Sequence, residues 1–236
     1  MNQRLKNELR AAFHAPAPER KAAFLKQHRR RELGRWELAA IQAGYIPWWI
    51  WGASLALFGA ILWVAYHVRG MGAWYAAALT PFLALLAVTE NGRSQFYQME
   101  ELELACRMGR HSVVLARMVS LGLFHLALLA GLTTPLAAWG GLALARTGVY
   151  LLTPYLLTAA LGMELTRRAR GREGLVACGG GAALVSALGL FLATRRAVLD
   201  LPEGFPLWVA ALALSTAAAG IEVMRSLREM EELQWN

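Results

Sequence analysis

The chain has 236 residues, and 57% of them are hydrophobic before its 22 glycines are counted. Soluble domains hold roughly 45–50% with glycine included, and a soluble fold of this length leaves too much surface in water to hide the excess. The formal charge of +8 invites a nucleic-acid reading, but the basic residues flank apolar runs, the pattern that encodes membrane topology, so no nucleic-acid partner is expected.

Residues 1–44 read as a cytoplasmic basic tail in two helical pieces. Leu5, Leu9, Ala12 and Phe13 have helical spacing, and Pro16 and Pro18 end the first piece. The second starts at Glu19, carries Lys26, Arg29, Arg30, Arg31 and Arg35, and runs into Trp36, Leu38, Ile41 and Tyr45. Basic residues followed by a tryptophan and aliphatics fit a helix lying in the headgroup plane; an ordinary positive flank that fixes orientation fits as well. No cleavable signal peptide is expected, because the first apolar run comes after this charged stretch and is long and aromatic.

Six runs then meet the length of about twenty mostly apolar residues that a bilayer requires. They are placed at Tyr45–Tyr66, Gly72–Val88, Val113 to about Ala137, Thr147–Leu165, Gly174–Ala193 and Pro206–Met224. Trp48, Trp49 and Trp51 suit one membrane interface, and Trp74 and Tyr75 the other. Thr133, Thr134 and Pro135 are expected to kink the outer end of the third span, and Pro154 is tolerated in the fourth because embedded helices re-satisfy freed carbonyls. The chain is thus expected to be all-α, a polytopic membrane protein with six transmembrane helices and both termini cytoplasmic. Residues 45–225 form the transmembrane domain and 226–236 an acidic cytoplasmic tail. With the amino terminus inside, twenty of the 24 basic residues fall on inner segments, and only Arg69, Arg146, Arg195 and Arg196 fall outside, a strong positive-inside bias. The expected location is the cell membrane.

Several chemistries are missing. A P-loop needs a lysine to reach the β and γ phosphates, and the only lysines are Lys6, Lys21 and Lys26, none after a glycine-rich loop. HExxH, GxSxG and paired Cys/His ligand sets are also absent, and Cys106 and Cys178 show neither metal spacing nor a disulfide framework. The chain is not expected to be an enzyme or to hold a cofactor.

The segment Glu90–Met118, ENGRSQFYQMEELELACRMGRHSVVLARM, carries most of the functional signal. It is an intracellular loop with a helix at about 96–112. Glu103 precedes Arg107 by four residues, Glu100 and Glu101 add acid ahead of Arg107 and Arg110, and Phe96, Met99 and Cys106 could form a narrow apolar stripe. From the residues alone it is either a solvated helix resting on the membrane or a docking helix for a cytoplasmic partner.

With its basic tail, its entry along the membrane surface, six spans and the acidic-then-basic segment Met99–Met118, the chain resembles ABC-2-type transporter permeases. The resemblance implies a coupling helix at about 96–112 that seats on a separate ABC-type ATPase subunit through Glu100, Glu101, Glu103, Arg107 and Arg110. It also implies a second permease subunit, making a homo- or heterodimer. The alanine-, glycine- and arginine-rich composition departs from that pattern and leaves the substrate unreadable.

Ionisable residues at membrane depth are functional candidates. Glu90, Glu164 and Glu222 sit at the inner ends of spans; Arg167 and Arg168 follow Glu164, and Arg225 follows Glu222, a spacing that also fits plain structural ion pairs. His125, near the middle of span three, fits a bond to a neighbouring helix or a proton or substrate role. Gly179, Ala183 and Ala187 on span five, and Ala211, Ser215 and Ala219 on span six, place small residues four apart, which suits close packing within the chain or between copies. Two other functions fit the sequence: a non-transporting membrane anchor that holds a cytoplasmic factor, and an ion-coupled secondary transporter using His125 and the span-end glutamates.

Overall fold

A computed structural model of the chain describes residues 35–68, 70–93, 110–169, 172–194 and 204–235. The described residues form seven helices and no strand: α1 Arg35–Tyr45, α2 Trp48–His67, α3 Gly72–Asn91, α4 Arg110–Gly140, α5 Leu144–Arg168, α6 Arg172–Thr194 and α7 Phe205–Trp235. Six of them, α2 to α7, are long and apolar enough to cross a membrane. The protein is a polytopic α-helical membrane protein.

Local sequence explains most boundaries. Pro47 cannot continue a helix and pushes its predecessor out of helical geometry, so the first span starts at Trp48 and Tyr45 belongs to α1. Glycines with positive φ make the two tight connections: Gly70 (φ 84°) between α2 and α3, and Gly141 (φ 66°) between α4 and α5. At the second, the Leu142 N–H donates to the Ala137 carbonyl at 3.3 Å, the glycine-centred closure that satisfies a helix's last carbonyls. The helices also run longer than the apolar runs. α4 begins at Arg110 and continues through Pro135 to Gly140 as one helix, and α7 carries the sixth span on into the acidic tail as far as Trp235.

The packing centre is α3, which lies against α2, α4, α5 and α6; α5 in turn packs on α4, α6 and α7. Of α3's apolar window 67% is buried, against 11% for α7, so α3 is the axis and α7 an outer flank. Small residues make that burial possible: Ala73, Ala76, Ala77, Ala78 and Ala84 are all buried. Gly162 of α5 lies so close to α3 that an added Cβ would meet the Val88 methyls at 2.9 Å, and Gly189 of α6 would meet the Ala78 backbone at 3.3 Å. Pro81 removes the N–H that the Ala77 carbonyl would otherwise accept. The Thr80 hydroxyl donates to that carbonyl instead, at 2.9 Å, and also lies 3.3 Å from the Leu151 carbonyl of α5. The freed backbone group is thereby satisfied inside the bundle, as an anhydrous environment demands.

One apolar core joins α2 to α5 around Ile61, Leu83, Leu129, Leu132, Leu136 and Leu151. At one end of the bundle Trp74 (α3), Tyr150 (α5) and Trp208 (α7) meet with ring centroids 5.0 to 5.5 Å apart, beside Ala193 of α6. Tilted and edge-on rings at such distances add to their area burial. The two small-residue faces have different fates. Ser215 is buried with Ala211 and Ala219 half-buried beside it, whereas Ala183 and Ala187 are exposed; α6 instead buries Gly174, Cys178, Ala182, Val185 and Ser186.

Candidate functional site

The end opposite the aromatic cluster gathers charge. Three helices bring the same four-residue pattern there, Glu-x-x-Arg: Glu90 in the last turn of α3 with Arg93 two residues beyond its end, Glu164 and Arg167 in the last turn of α5, and Glu222 and Arg225 within α7. On a helix, residues three apart are neighbours, and all three pairs form. Arg93 Nη1 lies 3.5 Å from Glu90 Oε1. Arg167 Nε donates to Glu164 Oε2 at 3.1 Å, and Arg225 Nη1 donates to Glu222 Oε1 at 2.8 Å. Arg168 adds a further bond to Glu164 through its Nε.

The pairs on α5 and α7 are joined. Arg167 Nε lies 3.7 Å from Glu222 Oε2, so one guanidinium stands between two carboxylates and ties the ends of the two helices together. Glu90 is held by a different helix: Arg117 of α4 interacts with it electrostatically. Glu90 and Glu222 are both buried, and a buried carboxylate is tolerable only when such partners are present.

The structure therefore joins Glu164 and Glu222 in one network and places Glu90 in a separate pair at the same end. Arg110, within the 96–112 segment, is the first residue of α4. Glu100, Glu101, Glu103 and Arg107 lie outside the described residues, as does most of the 96–112 segment.

His125 stands apart from this network. It is fully buried, as is Ser54. Ser54 Oγ of α2 lies 2.9 Å from His125 Nε2, and the Tyr155 hydroxyl of α5 lies 3.2 Å from His125 Nδ1. In a neutral imidazole one nitrogen donates and the other accepts, and a hydroxyl can answer either role. The ring thus bonds across three helices with both nitrogens engaged. A serine hydroxyl against an imidazole could suggest nucleophilic catalysis, but Ser54 and His125 expose no surface on which a substrate carbonyl could lie. Their arrangement is that of an interhelical tie.

The α1–α2 elbow makes the third notable contact. Ile46 and Ile50 pack with Leu121 of α4, joined by Trp51 and by Ala87 of α3, and Trp51 meets Phe124 edge-on at 4.7 Å. α1 itself lies against α4, the helix that continues directly from the 94–109 segment. Among the described residues no group of three or more His, Cys, Asp or Glu side chains could hold a metal ion.

Reading the sequence found His125 but not its partners. Ser54 was visible as a lone hydroxyl in an apolar run, although nothing in one sequence pairs it with His125 or Tyr155. The Glu90–Arg93 pair was missed, although it repeats the spacing at 164/167 and 222/225 that could have revealed it. Comparison of the chain with protein-family models, with curated proteins and with solved structures finds no match.

Proposed function

We propose that the chain is the membrane subunit of an ATP-driven transporter of the ABC-2 type, in the cell membrane with both termini in the cytoplasm. It works as a dimer with separate ATPase subunits that dock on the segment at 96–112. The observation that carries this reading is the grip of the α1–α2 elbow on α4. α4 begins at Arg110, before its apolar span from Val114, so a push on the preceding segment passes directly into a stiff helix. The elbow at Ile46, Ile50 and Trp51 is packed on that helix near Leu121 and Phe124. Movement of the segment therefore displaces span three together with span one. That mechanical linkage is what alternating access driven from outside the bilayer needs. The bias of basic residues toward the arginine-rich end supports the orientation.

The test is charge reversal on the docking segment. Glu103→Arg and Arg107→Glu should each reduce co-purification of an ATP-binding protein from native membranes and its stimulation by the chain. Retention of both by the doubly reversed variant would overturn the docking assignment. Absence of any stoichiometric ATP-binding partner would overturn the transporter reading and favour the regulatory anchor. Transport that persists without an ATPase would point to ion coupling instead. The substrate class is left open, because lipids, polysaccharide precursors, peptides and drugs are all compatible with such an architecture.

A further inference from the structure

The three Glu-x-x-Arg pairs share an orientation that their sequence spacing does not require. In each the acid is the less exposed partner: side-chain exposures are 4% for Glu90 against 48% for Arg93, 21% for Glu164 against 29% for Arg167 and 74% for the adjoining Arg168, and 10% for Glu222 against 56% for Arg225. A random solvated face would expose acids and bases alike.

From this segregation we infer that the seam between α5 and α7 at the arginine-rich end is a binding site for the phosphate of an anionic phospholipid headgroup, held by Arg168 and Arg225. If the six apolar helices cross the bilayer, the end of α5 at Arg168 and the end of α7's apolar segment at Ser226 lie at the depth of the headgroups. The two arginines flank one network, Arg168–Glu164–Arg167–Glu222–Arg225, so they are carried by two helices locked together at that point. Each uses part of its guanidinium on the carboxylate beneath it: Arg168 its Nε, and Arg225 its Nη1. A guanidinium has five N–H donors in a planar fork, so donors are left on both side chains for an outer acceptor. The inner carboxylates act as positioning groups. They hold two long, flexible side chains in place before the lipid arrives, which lowers the ordering cost of binding. A phosphate diester, planar-fork compatible and singly charged, fits such a pair better than a zwitterionic headgroup, whose own ammonium competes for the phosphate.

The site makes a prediction that a mere positive flank does not. Arginine and lysine are equal for electrostatic topology, but lysine lacks the fork. The full-length chain, purified in detergent and exchanged into nanodiscs of equal phosphatidylglycerol and phosphatidylcholine, should retain phosphatidylglycerol preferentially when the bound lipids are released and counted by native mass spectrometry. Arg168→Gln with Arg225→Gln should abolish the preference. Arg168→Lys with Arg225→Lys, which keeps the charge and guards against a folding failure of the glutamine pair, should lose most of it, on the order of tenfold for a loss of about 1.4 kcal/mol. Arg228→Gln, one turn further along the exposed face of α7, should leave it intact. Equal retention of the two lipids by the unaltered chain would overturn the site. So would full preference in the lysine pair, or an equal loss in Arg228→Gln, since both would reduce it to bulk charge.

Discussion

The contact between Gly162 and Val88 offers the sharpest test of the packing, because it joins the two most connected helices. A Cβ at position 162 would lie 2.9 Å from both Val88 methyls and 3.2 Å from its Cβ. Valine is held in one dominant rotamer in a helix, and Val88 is buried at 4% exposure, so it cannot swing away. Gly162→Ala must push α5 off α3, and overpacking of this kind costs about 1–3 kcal/mol, which exceeds the up to about 1 kcal/mol that alanine returns over glycine in a helix. Val88→Ala removes the two obstructing methyls, so the double variant should recover at least about 1 kcal/mol relative to the sum of the singles, a coupling within the range measured for touching residues. Gly180 and Gly220 have nothing within 4 Å of the equivalent position, and alanine at either should be neutral or stabilising. The assay is reversible unfolding of the purified chain in mixed micelles, followed by circular dichroism across a denaturing-detergent titration. Additive single effects, or a Gly162→Ala variant as stable as Gly180→Ala, would refute the close approach of α3 and α5.

Replacing His125 by phenylalanine should lower stability by about 1–3 kcal/mol in the same titration, because it strands two hydroxyls. Ser54→Ala should cost less, within the about 0.6 to 1.7 kcal/mol measured for single bonds between embedded helices. Trp208→Ala should cost about 0.5–3 kcal/mol, below the loss for a fully buried aromatic because Trp208 is half-buried, and should shift the tryptophan emission of the remaining cluster, since Trp208 touches both Trp74 and Tyr150. Single cysteines introduced at Gly44 and at the exposed Ala143 in a cysteine-free chain should react with an impermeant maleimide from opposite faces of sealed vesicles, Gly44 from the cytoplasmic face; labelling of both from one side would break the proposed topology.

Six spans were legible because lipid selects on a coarse property, about twenty apolar residues in sequence, and each of Gly72–Val88, Thr147–Leu165 and Gly174–Ala193 falls inside an observed helix. Boundaries moved where helical geometry outlasts hydrophobicity: α4 starts at Arg110 and α7 runs on to Trp235, since charged residues form helices as readily as apolar ones. The interior of the bundle was much less legible. The apolar segments of α3 and α7 have nearly equal mean hydropathy, 1.5 and 1.7, and only three-dimensional packing makes one the axis and the other the flank. For the same reason Gly179, Ala183 and Ala187 could be grouped as a small face without revealing that α6 turns the neighbouring stripe inward. Of the candidate site, local pairs such as Glu222 and Arg225 were readable from spacing, while the link from Arg167 to Glu222 and the tie from His125 to Ser54 and Tyr155 join distant parts of the chain, which a single sequence does not connect.

The central position of α3 also has a consequence for how the protein is made. The helix emerges early, but two of its main partners, α5 and α6, are translated after it. At about 5–20 residues per second, the ribosome needs roughly 4–15 seconds to pass from the end of α3 to the end of α5. During that interval α3 waits in the bilayer with only α2, and then α4, beside it. The Thr80 hydroxyl, bonded within its own helix to the carbonyl that Pro81 leaves open, lets the segment wait without an exposed backbone acceptor. The same threonine that joins α3 to α5 in the finished bundle thus also makes α3 fit to be an intermediate of membrane insertion.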